Sequence, residues 1–203
     1  MSISTFRLTK VADADFPSRF GQFRIYGFEG QRGDTLEEAV VLRMGDMEGD
    51  PPLVRIHSQC LTGDVFHSLR CDCRLQLEMA LTCIAEEGRG LLIYEHQEGR
   101  GIGLLNKLRA YALQDNGADT VEANELLGFK ADLRNYELPA EIIRYFGIPA
   151  VRLLSNNPDK IQALERAGVQ VAERVPCLVE PIQSTEGYLR TKKEKMRHLL
   201  EGF

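Results

Sequence analysis

The sequence predicts an α/β fold with α+β layering: a mixed sheet with an antiparallel strand group near the N-terminus and strand–helix alternation in the C-terminal half. Three observations predict it. Gln22 to Phe28 (QFRIYGF) alternates apolar and polar residues with the period of a half-buried strand. From Leu75 the apolar spacing becomes that of a helix. Beyond it, short apolar runs and helical patterns take turns, the order that layers helices on a sheet. With 203 residues, 43% of them apolar and 27% charged, the chain can bury a core without disulfides and is expected to form a single domain over residues 1–203.

The elements follow in order. Ala39 to Met44 and Leu53 to His57 are two further strands, expected to join Gln22–Phe28 in the antiparallel group. Gly30 to Glu37 (GQRGDTLE) is expected to be a flexible connection. Leu75, Met79 and Cys83 repeat every four residues on one helical face, and Gly88 and Gly90 stop that helix. Leu91 to Tyr94 is a short buried strand. Ile102 to Gln114 is a helix with Leu105, Leu108 and Ala112 on its apolar stripe. Leu138 to Phe146 is a helix stopped by Gly147. Val151–Leu154, Pro158–Ala167 and Val169–Val175 form a strand, a helix and a strand, and the last helix spans Tyr188 to Leu200.

Composition excludes some classes of function. With 25 basic and 30 acidic residues the formal charge is −5, which speaks against a nucleic-acid partner but leaves room for a phosphorylated ligand held by a few arginines. No apolar run approaches the ~18 residues of a membrane span, and the N-terminus has no apolar signal stretch, so no membrane partner is expected. Five cysteines, an odd number, fit the reducing cytoplasm, where they serve as thiols or metal ligands.

Three of them cluster. The segment His57-Ser58-Gln59-Cys60 to Cys71-Asp72-Cys73 delivers one cysteine from a strand and two from a Cys-x-Cys pair before a helix. Three thiolates can share one zinc. A fourth protein ligand, His57 or His67, would close the site as a structural staple, whereas water in that position would leave it catalytic. Three buried thiols without metal fit the spacing as well. The helix starting near Arg74 points its positive end at these thiols. Cys83 and Cys177 are expected in the core.

Two segments suit phosphate. Glu95 to Gly103 (EHQEGRGIG) ends a strand and precedes a helix, with glycines that admit an anion and Arg100 as a bidentate donor. Leu154 to Lys160 (LSNNPDK) follows another strand. There Asn157 caps a helix, Pro158 takes its first position, and Lys160 opposes the helix dipole unless an anion is present. An ordinary glycine turn and a capped turn with a solvated lysine are the plainer readings.

Five motifs, in order along nearly the whole chain, resemble GTP cyclohydrolase II. They are His57-Ser58 with Cys60-Leu61-Thr62-Gly63-Asp64, Ser68-Leu69-Arg70-Cys71-Asp72-Cys73, Glu98-Gly99-Arg100-Gly101-Ile102-Gly103-Leu104, Asn106-Lys107-x-Arg109-Ala110-Tyr111 and Asn156-Asn157-Pro158-x-Lys160. The resemblance implies a GTP cyclohydrolase II-like fold and the first committed step of riboflavin synthesis. GTP would yield 2,5-diamino-6-(5-phosphoribosylamino)pyrimidin-4-one, formate and pyrophosphate, through a zinc-activated water at C8 and cleavage at the α-phosphorus. It implies one zinc on Cys60, Cys71 and Cys73 with water in the fourth position, and Mg2+ on the triphosphate. It places GTP against Arg55, Ile56, His57, Ser58, Gln59, Gln76, Glu98, Gly99, Arg100, Thr120, Ser155 and Lys160. Asp132 is implied as proton acceptor, Arg134 as nucleophile on phosphorus and Tyr111 as a neighbour of the reacting ring. Because an arginine is protonated at ordinary pH, stabilisation of the transition state by Arg134 is the alternative. A homodimer in the stand-alone form, without a fused partner enzyme, is also implied.

Three positions depart from the family pattern. Gln59 stands where Glu is usual, Arg74 where Gly is usual, and Ser155 where Thr is usual. Gln59 keeps open an enzyme with altered chemistry or a binding protein without turnover, whereas Ser155 retains the hydroxyl.

Overall fold

The computed structural model describes residues 6–179 and 186–200. Seven strands form one mixed sheet: β1 (Arg7–Ser18), β2 (Gly21–Arg32), β3 (Thr35–Met44), β4 (Leu53–Ser58), β5 (Gly90–Glu95), β6 (Ala150–Leu154) and β7 (Gln170–Val175). Their spatial order is β1-β2-β3-β5-β4-β6-β7. β1, β2, β3 and β5 pair antiparallel, while β5, β4, β6 and β7 pair parallel. The mixed sheet and the later strand–helix alternation are therefore as expected.

Leu53–His57 does not join the antiparallel group. β4 lies between β5 and β6, parallel to both. Leu53 to His57 are all buried, and a strand covered on both faces belongs in the parallel centre of a sheet. The segment Gly30–Glu37 is not a flexible connection either. β2 and β3 stay in register up to Arg32 opposite Thr35, leaving a two-residue turn at Gly33 and Asp34, with Gly33 at φ 57°. β1 lacks a buried apolar alternation to announce it. It is a largely exposed edge strand with a register shift between Lys10 and Ala12 and with Pro17 near its end, features that protect a sheet edge from further pairing.

Helices cover both faces. α2 (Cys73–Glu87) packs Ala80, Leu81 and Ile84 with Leu53, Leu92 and Leu154. α5 (Glu137–Tyr145) and α6 (Pro158–Arg166) bring Leu138, Ile142, Ile143 and Leu164 to Val54, Ile56 and Ile93 on the other face. The residues of α2 that reach the core are Ala80, Leu81 and Ile84, with Leu77 partly buried against them. Leu75 is half-exposed, and Met79 and Cys83 only flank the core, which corrects the expected stripe and the core placement of Cys83. Cys177 is buried as expected.

The remaining elements are α1 (Leu61–Asp64), a 3-10 turn at Glu98–Gly101, α3 (Leu104–Asp115), α4 (Thr120–Leu126) and α7 (Glu186–Met196). In α3 the expected stripe does not face the core: Leu105 is 71% and Leu108 45% exposed, and Ala110 is the buried residue. α7 ends at Met196 and not at Leu200, because Arg197 turns left-handed at φ 55°. Gly88 and Gly147, at φ 66° and 69°, end α2 and α5 as expected.

Candidate active site

The parallel strands β4, β5 and β6 deliver their carboxyl ends to one edge of the sheet, the usual place for a ligand in such sheets. A cleft opens there. Its first part, about 690 Å³ of open space, is lined by Cys60, Cys71, Cys73, Glu98, Lys107 and Tyr111, among others. The adjoining part, about 580 Å³, is lined by Arg55, Gln76, Arg100, Arg134, Ser155 and Lys160, among others.

At the first end the three sulfurs lie within 4.8 Å of one another, with Cys60 Sγ and Cys71 Sγ 3.6 Å apart. Tetrahedral zinc with Zn–S near 2.3 Å places its sulfurs ~3.8 Å apart, so the donor set fits that ion. Gly63 leaves the necessary room, since a Cβ there would lie 2.9 Å from Cys71 Sγ and 3.1 Å from Cys60 Sγ. Without metal, hydrogen bonds from Cys71 and Cys73 and the charge of Lys107 hold the Cys60 thiol far below its usual range. Their bonding to Cys60 pushes Cys71 up to about 11 and Cys73 well above the usual thiol value. The three thiols thus share protons through their mutual hydrogen bonds, and a metal ion would require all three as thiolates.

No fourth protein ligand closes this cluster among the described residues. His57 is engaged elsewhere: its Nε2 donates to Asp64, 3.1 and 3.2 Å from the two oxygens, and burial keeps it neutral. Asp64 also accepts from Cys60 N–H at 3.0 Å and from the Tyr94 hydroxyl at 2.8 Å, which fixes the turn that carries Cys60. Lys107 Nζ donates to Cys60 Sγ at 3.0 Å and to Glu98 Oε1 at 2.7 Å, while Glu98 Oε2 accepts from Leu61 N–H. Tyr111 shares a 3.1 Å hydrogen bond with Thr62. Arg74 turns from the sulfurs to Glu78 and to the Asp64 carbonyl.

At the second end Arg55 donates to the Leu154 carbonyl and to Gln76 Oε1, and Lys160, only 5% exposed, donates to the Ile56 carbonyl at 2.7 Å. Lys160 is therefore not a solvated lysine. Burial and the charges of Arg55 and Arg134 push its pKa well down, a cost that an arriving anion would relieve. Among the described residues no carboxylate forms a salt bridge with Arg55, Arg100 or Lys160. Asn157 caps α6 and Pro158 begins it, as expected. The glycine-rich loop runs left-handed at Gly99 and Arg100, both at φ 62°. Gly101 lets it approach Leu133, to which a Cβ would come within 3.1 Å, and the Arg100 carbonyl accepts from Leu133 N–H. That contact brings Arg100 beside Asp132 and Arg134.

Arg134 is gripped by Asp132, with Nε 2.9 and 3.1 Å from the two carboxylate oxygens. Although burial pulls the other way, Arg134 holds the Asp132 carboxyl below its usual range, and Tyr136 and Asp132 raise the guanidinium pKa further. Glu95 lies beneath, fully buried, and desolvation pushes its carboxyl up to about 7 against the opposing charges of Lys160 and Arg134.

Comparison with known proteins agrees with this geometry. The family model for GTP cyclohydrolase II matches residues 9–176. A curated relative from Actinobacillus succinogenes, named GTP cyclohydrolase-2, is 56% identical over 96% of this chain and 89% of its own. Relatives of the same name from Yersinia pseudotuberculosis and Escherichia coli are 55% identical over 96% of this chain and 98% of theirs. The chain belongs to the GTP cyclohydrolase II family.

Most residues implied by the likeness to GTP cyclohydrolase II meet in the cleft. Ser58, Gln59, Glu98, Gly99, Arg100 and Thr120 line the thiol end with the three cysteines and Tyr111. Arg55, His57, Gln76, Ser155 and Lys160 line the cationic end. Ile56 is an exception: its side chain is fully buried in the core beneath the sheet edge, and only its carbonyl reaches Lys160. Asp132 stands behind Arg134 and is not among the lining residues. Sequence reasoning assigned nothing to Lys107, Asp64, Tyr94 or Glu95. Lys107 was within reach, because it lies four residues before Tyr111 on one face of α3 and inside a quoted motif. Asp64, Tyr94 and Glu95 become partners of the site only through contacts between β4, β5 and the turn after β4.

Proposed function

We propose that this cleft hydrolyses GTP to 2,5-diamino-6-(5-phosphoribosylamino)pyrimidin-4-one, formate and pyrophosphate, the first committed step of riboflavin biosynthesis. One observation carries this reading: an open three-thiol centre and a cation-rich pocket share walls at Ser58, Cys73, Arg100 and Arg134. A nucleoside triphosphate, with a hydrolysable ring at one end and a polyphosphate at the other, suits that pairing. We read the chain as a single GTP cyclohydrolase II domain.

Cys60, Cys71 and Cys73 would hold zinc, which supplies the Lewis acidity that makes water nucleophilic near neutral pH. Tyr111, whose pKa burial raises, keeps its proton and offers it to the ring end of the substrate. Ser58, Gln59, Glu98, Gly99 and Thr120 orient the nucleoside, while Arg55, Gln76, Arg100, Ser155 and Lys160 take the phosphates, with magnesium as part of the substrate complex. The bidentate grip of Asp132 and the raised pKa of Arg134 support a guanidinium that stays charged. In this reading Arg134 stabilises charge at the α-phosphorus, the alternative to the nucleophile that the family likeness implies, and ionised Asp132 orients it.

A homodimer is consistent with the exposed Leu105 and Leu108 of α3, an apolar face for a second copy to cover. Five free thiols suit the reducing cytoplasm. The test is to incubate zinc-loaded protein with GTP and magnesium and to quantify formate, pyrophosphate and the pyrimidine. Equal amounts of all three are expected, and pyrophosphate without formate, or no turnover with GTP bound, would overturn the reading.

A further inference from the structure

The match to the family model ends at residue 176, and none of the residues assigned above comes from α7 or the chain after it. Yet this segment walls the cleft: Tyr188 lines both ends, and Lys192, Met196 and His198 line the cationic one. It is anchored on three sides. Buried Lys192 donates to Asp72 Oδ1 at 2.9 Å, between two of the cysteines. Lys195 pairs with Asp119 and Glu122, which form the capping box of α4. Leu199 N–H donates to the Asn156 carbonyl at 2.9 Å in the loop after β6, and Leu189 and Leu200 are buried.

The end of α7 aims one side chain. Arg197 adopts a left-handed φ of 55°, uncommon outside glycine and frequent where function demands it. The chain reverses there, and His198 N–H bonds back to the Lys192 carbonyl. The His198 Nε2 atom is buried and has no hydrogen-bond partner among the described residues. Buried polar atoms are almost always paired, so this orphan, beside the unpartnered Arg55 Nε and Arg100 Nη1 of the same cleft, calls for a partner from outside the described residues.

We propose that His198 is a substrate-binding residue, its Nε2–H donating a hydrogen bond to the outer phosphates of the bound nucleotide, with α7 as the wall that presents it. The proposal rests on the reading of the cleft as a GTP site. Burial, with the charges of Lys192, Arg134, Lys160 and Arg100, pushes the imidazole pKa down to about 2. Before the nucleotide arrives the ring is therefore neutral and adds no like charge to the cluster.

The test uses the full zinc-loaded chain in calorimetric titrations with α,β-methylene-GTP, GMP and inorganic pyrophosphate. For His198→Ala we expect affinity for the methylene analogue and for pyrophosphate to fall about tenfold, the scale of one hydrogen bond to a charged group, with GMP within twofold. His198→Gln, which keeps an N–H at similar reach, is expected to recover most of the loss. Unchanged affinity for the analogue and pyrophosphate, or an equal loss for all three ligands, would overturn the proposal, since a purely structural wall does not distinguish GMP from the triphosphate. If the wild-type protein binds pyrophosphate but neither nucleotide, the GTP reading fails, while the pyrophosphate titration still decides the role of His198.

Discussion

The two ends of the cleft are built in opposite ways. The three sulfurs of the thiol end come from one short stretch, Cys60 to Cys73, where Gly63 makes room for them, while Tyr94, Glu98 and Lys107 reach that stretch from β5, the glycine loop and α3. The cationic end takes Arg55 from β4, Arg100 from the glycine loop, Arg134 from before α5 and Lys160 from α6. Its positive charges are held together by the sheet and by carbonyl acceptors. The difference teaches that a cluster of thiols can be written into a single loop, whereas a cluster of like charges needs a scaffold stiff enough to oppose their repulsion.

That contrast can be broken from either side. The largest effect is expected from Cys71→Ser, which removes a ligand. Metal bound per chain should fall to near zero and formate release should drop by more than ~1000-fold, and chelation of the wild-type protein should do the same. Gly63→Ala forces a methyl group against two sulfurs and should weaken zinc binding about 100-fold in a competition titration, with pyrophosphate affinity little changed. Lys160→Met should do the converse, raising the KM for GTP ~30-fold while zinc content stays at the wild-type value. A variant that damages both ends equally would contradict the separation.

The smallest effect concerns pH. Glu95 has a carboxyl at about 7 in the fold against an ordinary value of 4.5. Between those values the folded chain keeps a proton that the unfolded chain has lost, so stability declines as pH rises through the window and levels above about 7. Glu95→Gln should flatten that decline, gaining on the order of 2 kcal/mol relative to wild type between pH 5 and pH 8 in urea unfolding. Parallel curves for the two proteins would show that Glu95 is not the titrating group.

Legibility followed the same division. The cysteine spacing, the caps at Asn157 and Pro158 and the stops at Gly88 and Gly147 were readable because each depends on neighbours in the chain. Leu53–His57 was misplaced because its pairing depends on β5 and β6, and a short apolar run does not announce its partners. Leu105 and Leu108 form the apolar stripe that the sequence predicts yet lie exposed, because apolar periodicity identifies a face without saying what covers it. At the cationic end Arg100 and Lys160 were legible from their loop patterns and Arg55 and Arg134 only through the family likeness, and His198 through neither.

By itself, then, the sequence determined the mixed strand–helix order, the three-thiol loop, the helix ends and the family. Those are matters of residue type at short range, where backbone geometry and ligand chemistry act within a few positions. Only the tertiary structure decided that β4 sits in the parallel centre, that Lys160 points inward to the Ile56 carbonyl, that His57 bonds Asp64 and not the thiol cluster, and that the end of α7 lines the cationic part of the cleft. Each of those depends on which buried groups find partners across the fold, and that is settled by packing and desolvation among residues far apart in the chain.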